Sequence, residues 1–82
     1  MSAKILIVDD EKSIRDSLKM VLAEEGFTTD AAGDGEEALQ KIGENDYDIV
    51  ISDIKMPKLD GMQLLESATK ISPETFFIIM TA

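Results

Sequence analysis

Short aliphatic runs alternate along this chain with longer stretches in which apolar positions recur every three or four residues. Lys4 to Val8 is short, aliphatic and continuous, the pattern of a parallel strand buried on both faces. From Ser13 the apolar positions Ile14, Leu18, Val21 and Leu22 recur at helical spacing, and Gly26 supplies a helix stop. Phe27 to Ala31 reads as a second strand. Its polar Thr28, Thr29 and Asp30 place it toward a sheet edge. Asp34 and Glu37 form a capping pair for a short helix whose apolar face is Ala38, Leu39 and Ile42. Asp48 to Ser52 is the next strand, followed by a loop from Asp53 to Leu59. Asp60 with Gln63 repeats the capping pattern, and Met62, Leu65 and Ala68 are the positions expected to face a core. Ser72 precedes Pro73, which drives it out of the helical region and ends the helix. Thr75 to Met80 is a last, strongly apolar strand.

Strands and helices in strict alternation define an α/β domain with a parallel sheet. That topology gives the acidic residues a meaning. Asp9 and Asp10 follow the first strand directly, and Asp53 follows the third. Parallel strands end at the same sheet edge, so the three carboxylates are expected side by side. Folding has no use for this arrangement, because like charges a few ångströms apart repel and one of them resists ionisation unless a cation intervenes. The cluster therefore points to a hard divalent metal and phosphoryl chemistry.

Composition narrows the field. The 82 residues suffice for one small domain, residues 1–82, and carry a formal net charge of -9. So acidic a surface argues against direct nucleic-acid binding and against an anionic membrane surface. There is no Cys and no His, which removes disulfides, thiolates and imidazole ligands or bases. No apolar run approaches the roughly 20 residues of a membrane helix, and Met1-Ser2-Ala3-Lys4 does not open a signal peptide. A cytoplasmic protein is the expectation. Gly33-Asp34-Gly35 lacks the third glycine of a dinucleotide fingerprint.

These residues resemble the receiver domain of two-component response regulators, the CheY-like family. The resemblance rests on Ile5-Leu6-Ile7-Val8-Asp9-Asp10-Glu11, on Asp53 at the end of the third strand, on Met56-Pro57 and Gly61, and on Ile78-Ile79-Met80-Thr81-Ala82. It implies a flavodoxin-like, doubly wound parallel sheet with strand order 2-1-3-4. It further implies that a sensor histidine kinase offers a phosphohistidine and that the receiver catalyses transfer to its own Asp53. Asp10 and Asp53 would ligate Mg²⁺ directly, Asp9 would assist through water, and the backbone carbonyl of Lys55 would add a ligand. Thr81 would contact the phosphoryl group and report its arrival. The run Phe76-Phe77-Ile78-Ile79-Met80-Thr81-Ala82 looks most like receivers of nitrogen-regulator-type transcriptional activators. Such receivers carry a fifth strand and two further helices, so the expectation is a C-terminally truncated receiver that lacks the family's lysine and switching aromatic.

Simpler roles stand beside these. Asp9 or Asp10 could cap the following helix, Asp53 could be a turn residue, and Thr81 an ordinary strand end. Met56-Pro57 would fix the loop, Gly61 would permit an unusual backbone angle or close packing, and Lys55 and Lys58 would be solvated. A different class of function is also open. The apolar last strand needs more cover than three helices give, so a homodimer through that exposed strand is the alternative to a phosphotransfer module.

Overall fold

The computed structural model describes residues 3–55 and 59–80. The element order is β1 (Lys4–Val8), α1 (Lys12–Glu24), β2 (Thr28–Ala32), α2 (Gly35–Glu44), β3 (Ile49–Asp53), α3 (Gly61–Ile71) and β4 (Phe76–Met80). The four strands form one parallel sheet in the order β2-β1-β3-β4, the flavodoxin-like arrangement. Strand boundaries differ from the sequence expectation by one residue at β2, β3 and β4. The shift at β3 has a consequence, because it makes Asp53 the last residue of the strand.

Side chains alternate across the sheet. Leu6, Val8 and Val50 point to one face and meet Ala38 and Ile42 of α2 and Leu64 and Ala68 of α3 in a single core cluster. Ile5 and Ile7 are buried on the opposite face, on the side of α1. Leu64 is fully buried, whereas Met62 is exposed and Leu65 half-buried. The inward stripe of α3 therefore runs through Leu64 and Ala68, and Met62 does not join it. Apolar spacing alone could not choose between adjacent apolar residues. In α1 no residue is fully buried, and Ile14 and Val21 lie on the exposed side of the helix. In β4, Phe76 is 76% exposed and Ile78 48%, which agrees with the expected shortage of cover.

Backbone groups at the helix ends are satisfied locally. Gly26 has φ +92°, a value that side-chain-bearing residues rarely adopt. The amide of Phe27 donates to Leu22 O and that of Gly26 to Ala23 O, which closes α1 in a Schellman motif. Asp60 and Gln63 form a complete capping box at α3. At α2 the box is displaced. Asp34 accepts from the amide of Glu37, but the Glu37 carboxylate reaches back to the amide of Gly33 and not to Asp34 itself. Tyr47, buried beneath β3, donates to the Asp30 carboxylate at 2.7 Å and ties β2 to the core. Burial and the neighbouring Asp30 hold its phenol well above the usual tyrosine range.

Candidate metal and phospho-acceptor site

The site grows from the ends of β1 and β3. Their register pairs Val8 with Ser52, so Asp9 and Asp53 leave the sheet side by side at one edge. A carboxylate oxygen from each of Asp9, Asp10 and Asp53 lies within 4.8 Å of the others. Burial grades across the cluster: Asp9 is 2% exposed, Asp53 half-buried and Asp10 exposed. The Asp9 carboxyl is raised above the usual range, chiefly by burial and further by the charges of Asp53 and Asp10. The amide of Glu11 opposes this by donating to Asp9 Oδ1 at 2.9 Å. On the other strand the amide of Lys55 donates to Asp53 Oδ1 at 3.2 Å.

The simpler role for the acidic pair does not hold. The N-cap of α1 is Glu11, and it makes no side-chain capping bond. Neither Asp9 nor Asp10 caps the helix; Asp9 instead folds back on the turn that precedes it. Lys55 is exposed, as expected of a solvated lysine. Met56, Pro57, Lys58, Thr81 and Ala82 lie outside the described residues. Gly61 has a demonstrable reason to be glycine. A Cβ there would sit 2.5 Å from Asp53 O and 2.9 Å from Ile54 Cα, so the start of α3 packs directly on the backbone that carries Asp53.

Three hard oxygen donors at this separation, in a chain without His or Cys, suit Mg²⁺ or a similar cation. Two further residues, which no sequence motif marks, touch the main chain of the cluster. Arg15 Nη1 donates to Asp9 O at 2.7 Å, and Ser52 Oγ donates to Asp53 O at 3.0 Å. The legible signals were a hydroxyl inside an otherwise aliphatic strand and a cation in the first turn of a helix that follows an acidic pair.

An acid cluster at the carboxyl edge of a parallel sheet ordered β2-β1-β3-β4 is the arrangement expected of a receiver module. Residues 5–82 match the family model of the response regulator receiver domain, and the chain belongs to that family. It is 35% identical over 82 residues to the response regulator MprA of Mycobacterium ulcerans, covering 100% of this chain and 35% of that protein. It is 38% identical over 79 residues to the transcriptional regulatory protein DltR of Streptococcus agalactiae, covering 96% of this chain and 35% of that protein. The chain thus spans about a third of the length of these relatives. Among solved structures it is similar to the response regulator TrrA of Thermotoga maritima in complex with Mg²⁺ and BeF, with TM-score 0.93, 44% identity and coverage of 100% of this chain and 70% of that one. A receiver domain from Clostridium thermocellum matches with TM-score 0.92 and 42% identity, covering 96% and 64% of the two chains. No helix among the described residues is long and apolar enough to cross a membrane.

Proposed function

We propose that residues 1–82 form one phospho-acceptor unit of a two-component system, which takes a phosphoryl group on Asp53 from a sensor histidine kinase. The observation that carries this is the convergence of Asp9, Asp10 and Asp53 within 4.8 Å at one sheet edge. Asp10 and Asp53 would hold Mg²⁺ directly, with Asp9 assisting through water and the Lys55 carbonyl adding a ligand. Bound there, Mg²⁺ supplies positive charge that offsets the carboxylates and the incoming phosphoryl group. Asp53 is half-buried and so remains open to a donor. Its carboxylate oxygen forms the new bond to phosphorus as the phosphorus–nitrogen bond of the kinase phosphohistidine breaks and the imidazole leaves. The amide of Lys55 holds the other Asp53 oxygen in place during attack. Thr81 takes its role as phosphoryl contact from the family resemblance alone. The acyl phosphate adds about -1.5 to -2 charge at that strand end.

A histidine kinase as donor would put this chemistry in the cytoplasm, and the name of the DltR relative favours a transcriptional output. The finer likeness to nitrogen-regulator-type activators gains no support from the relatives above. The test is incubation with Mg²⁺ and a small phosphodonor, followed by intact mass. One added phosphoryl group in the parent protein and none in Asp53→Asn is the expected result. No addition to the parent protein would overturn the reading.

A second reading rests on a different observation. Phe76 and Ile78, 76% and 48% exposed, lie on one face of an edge strand, which suits self-association into a homodimer. Light scattering across a concentration series tests it, and a monomer at every concentration would remove it.

A further inference from the structure

We infer that Arg15 and Ser52 are positioning residues that aim the acid cluster by bracing the main-chain carbonyls of Asp9 and Asp53; this rests on the metal-binding reading above. Both carbonyls lie at the ends of strands, where the sheet ladder is giving out. The last paired positions of β1 are Val8 with Ala32 on one side and Ser52 on the other. Arg15 Nη1 takes up Asp9 O at 2.7 Å, and Ser52 Oγ takes up Asp53 O at 3.0 Å. Side chains thus hold the main-chain carbonyls of two of the three residues whose carboxylates converge.

Each brace fixes a peptide plane. Asp9 O belongs to the peptide that joins Asp9 to Asp10, so holding it sets the direction in which Asp10 leaves the backbone. The same turn is held again by the amide of Glu11 on Asp9 Oδ1 at 2.9 Å. Asp53 O belongs to the peptide that joins Asp53 to Ile54. The other end of that plane is held as well, because the amide of Ile54 donates to Met80 O at 3.2 Å. Ser52 is fully buried, and no other polar side chain in β3 shares its face.

The choice of acceptor by Arg15 matters. A guanidinium bound to the backbone of a residue in an acidic cluster has an electrostatic reason to pair with one of the carboxylates. Among the described residues it forms no ion pair; it donates to a neutral carbonyl and rests against Gly33, where a Cβ would lie 3.4 Å from Nη1. An arginine bound to a carboxylate would compete with a cation for it. Bound to the carbonyl, it orders the ligands and leaves their charge available.

The experiment compares Arg15→Met, which keeps the apolar stem and loses the donor, with Arg15→Lys, which restores a donor. Mg²⁺ affinity is read by calorimetric titration and folding by thermal melting. Loss of a group that orients metal ligands weakens metal binding by about 10-fold or more. Arg15→Met is expected to lose about 10-fold in Mg²⁺ affinity, and Arg15→Lys to recover most of it. Ser52→Ala should act in the same direction from the other strand. A cooperatively folded Arg15→Met protein that binds Mg²⁺ as tightly as the parent would overturn the inference. A metal-independent readout separates this from failure of the metal-binding reading itself. The Glu11 amide reports the Asp9 turn in metal-free protein. Its hydrogen exchange should be about 10-fold faster in Arg15→Met, as for loss of a contact worth 1.4 kcal/mol to the local closed state, and near parental in Arg15→Lys. If the parent protein binds no Mg²⁺, this measurement alone decides, and equal exchange in all three proteins overturns the brace.

Discussion

Replacing Asp9 with asparagine should stabilise the metal-free protein. Asp9 is 2% exposed, and its carboxylate lies within 4.8 Å of those of Asp10 and Asp53. Two unit charges at that distance repel by about 0.9 kcal/mol in water and about 3.5 kcal/mol at an effective dielectric constant near 20. Asp10 is exposed and Asp53 half-buried, so solvent screens both and the lower value is the better guide. Counting both partners, Asp9→Asn relieves about 1–2 kcal/mol. Asparagine keeps an oxygen for the Glu11 amide that now donates to Asp9 Oδ1, so no hydrogen bond is lost. In a domain of this size each kcal/mol moves the melting temperature by roughly 4–8 °C. Differential scanning calorimetry in chelator at neutral pH should show that rise. The same variant should lose most of the stabilisation that Mg²⁺ gives the parent, which is about 1.4 kcal/mol at an ion concentration of about ten times Kd. Acidity supplies an internal check. The folded-state pKa of Asp9 is raised by burial, so the folded protein binds that proton more tightly than the unfolded chain. The parent therefore gains stability as pH falls through the raised value, and the gain is complete below the ordinary carboxylate value of 3.8. The advantage of Asp9→Asn should shrink over that window. A variant less stable than the parent at neutral pH, or an advantage unchanged by acid, would refute the electrostatic argument.

Gly61→Ala puts a methyl group 2.5 Å from Asp53 O, so urea unfolding should show a loss of about 1–3 kcal/mol, and acceptor activity per folded molecule should fall. Tyr47→Phe leaves the Asp30 carboxylate without its 2.7 Å donor and should cost about 1–3 kcal/mol in the same assay. The raised Tyr47 phenol has a consequence in alkali: the folded state keeps a proton that the unfolded state releases near pH 10, so stability should fall as pH rises above that value. Ultraviolet titration should accordingly show phenolate appearing together with unfolding and not before it.

The sequence made some features legible because local chemistry decides them. Alternation of aliphatic runs with helical spacing sets the α/β class, and Gly26, Asp34, Asp60 and Pro73 punctuate the helices whatever surrounds them. The edge shared by Asp9, Asp10 and Asp53 follows from parallel strands alone. Other features depend on partners distant in sequence. Whether Met62 or Leu64 faces the core depends on how α3 sits on the sheet, and Gly61 lets the first turn of α3 pack against the Asp53 backbone. Ile14 and Val21 continue the apolar spacing of α1 yet are exposed, since spacing alone does not show which side of a helix a sheet covers. Tyr47 meets Asp30 across 17 residues, and no periodicity encodes such a pair. Arg15 and Ser52 escaped notice for a related reason, since both act on main-chain carbonyls, and residue type shows nothing of a carbonyl's direction.

The most direct test of the central claim asks which carboxylate takes the phosphoryl group. Hydride reduction converts an aspartyl phosphate to homoserine and leaves free aspartate untouched, so peptide mapping after phosphodonor, Mg²⁺ and borohydride identifies the acceptor. Conversion is expected at residue 53 alone and is abolished by chelator. Conversion at residue 9 or 10, or at 53 with the metal removed, would contradict it.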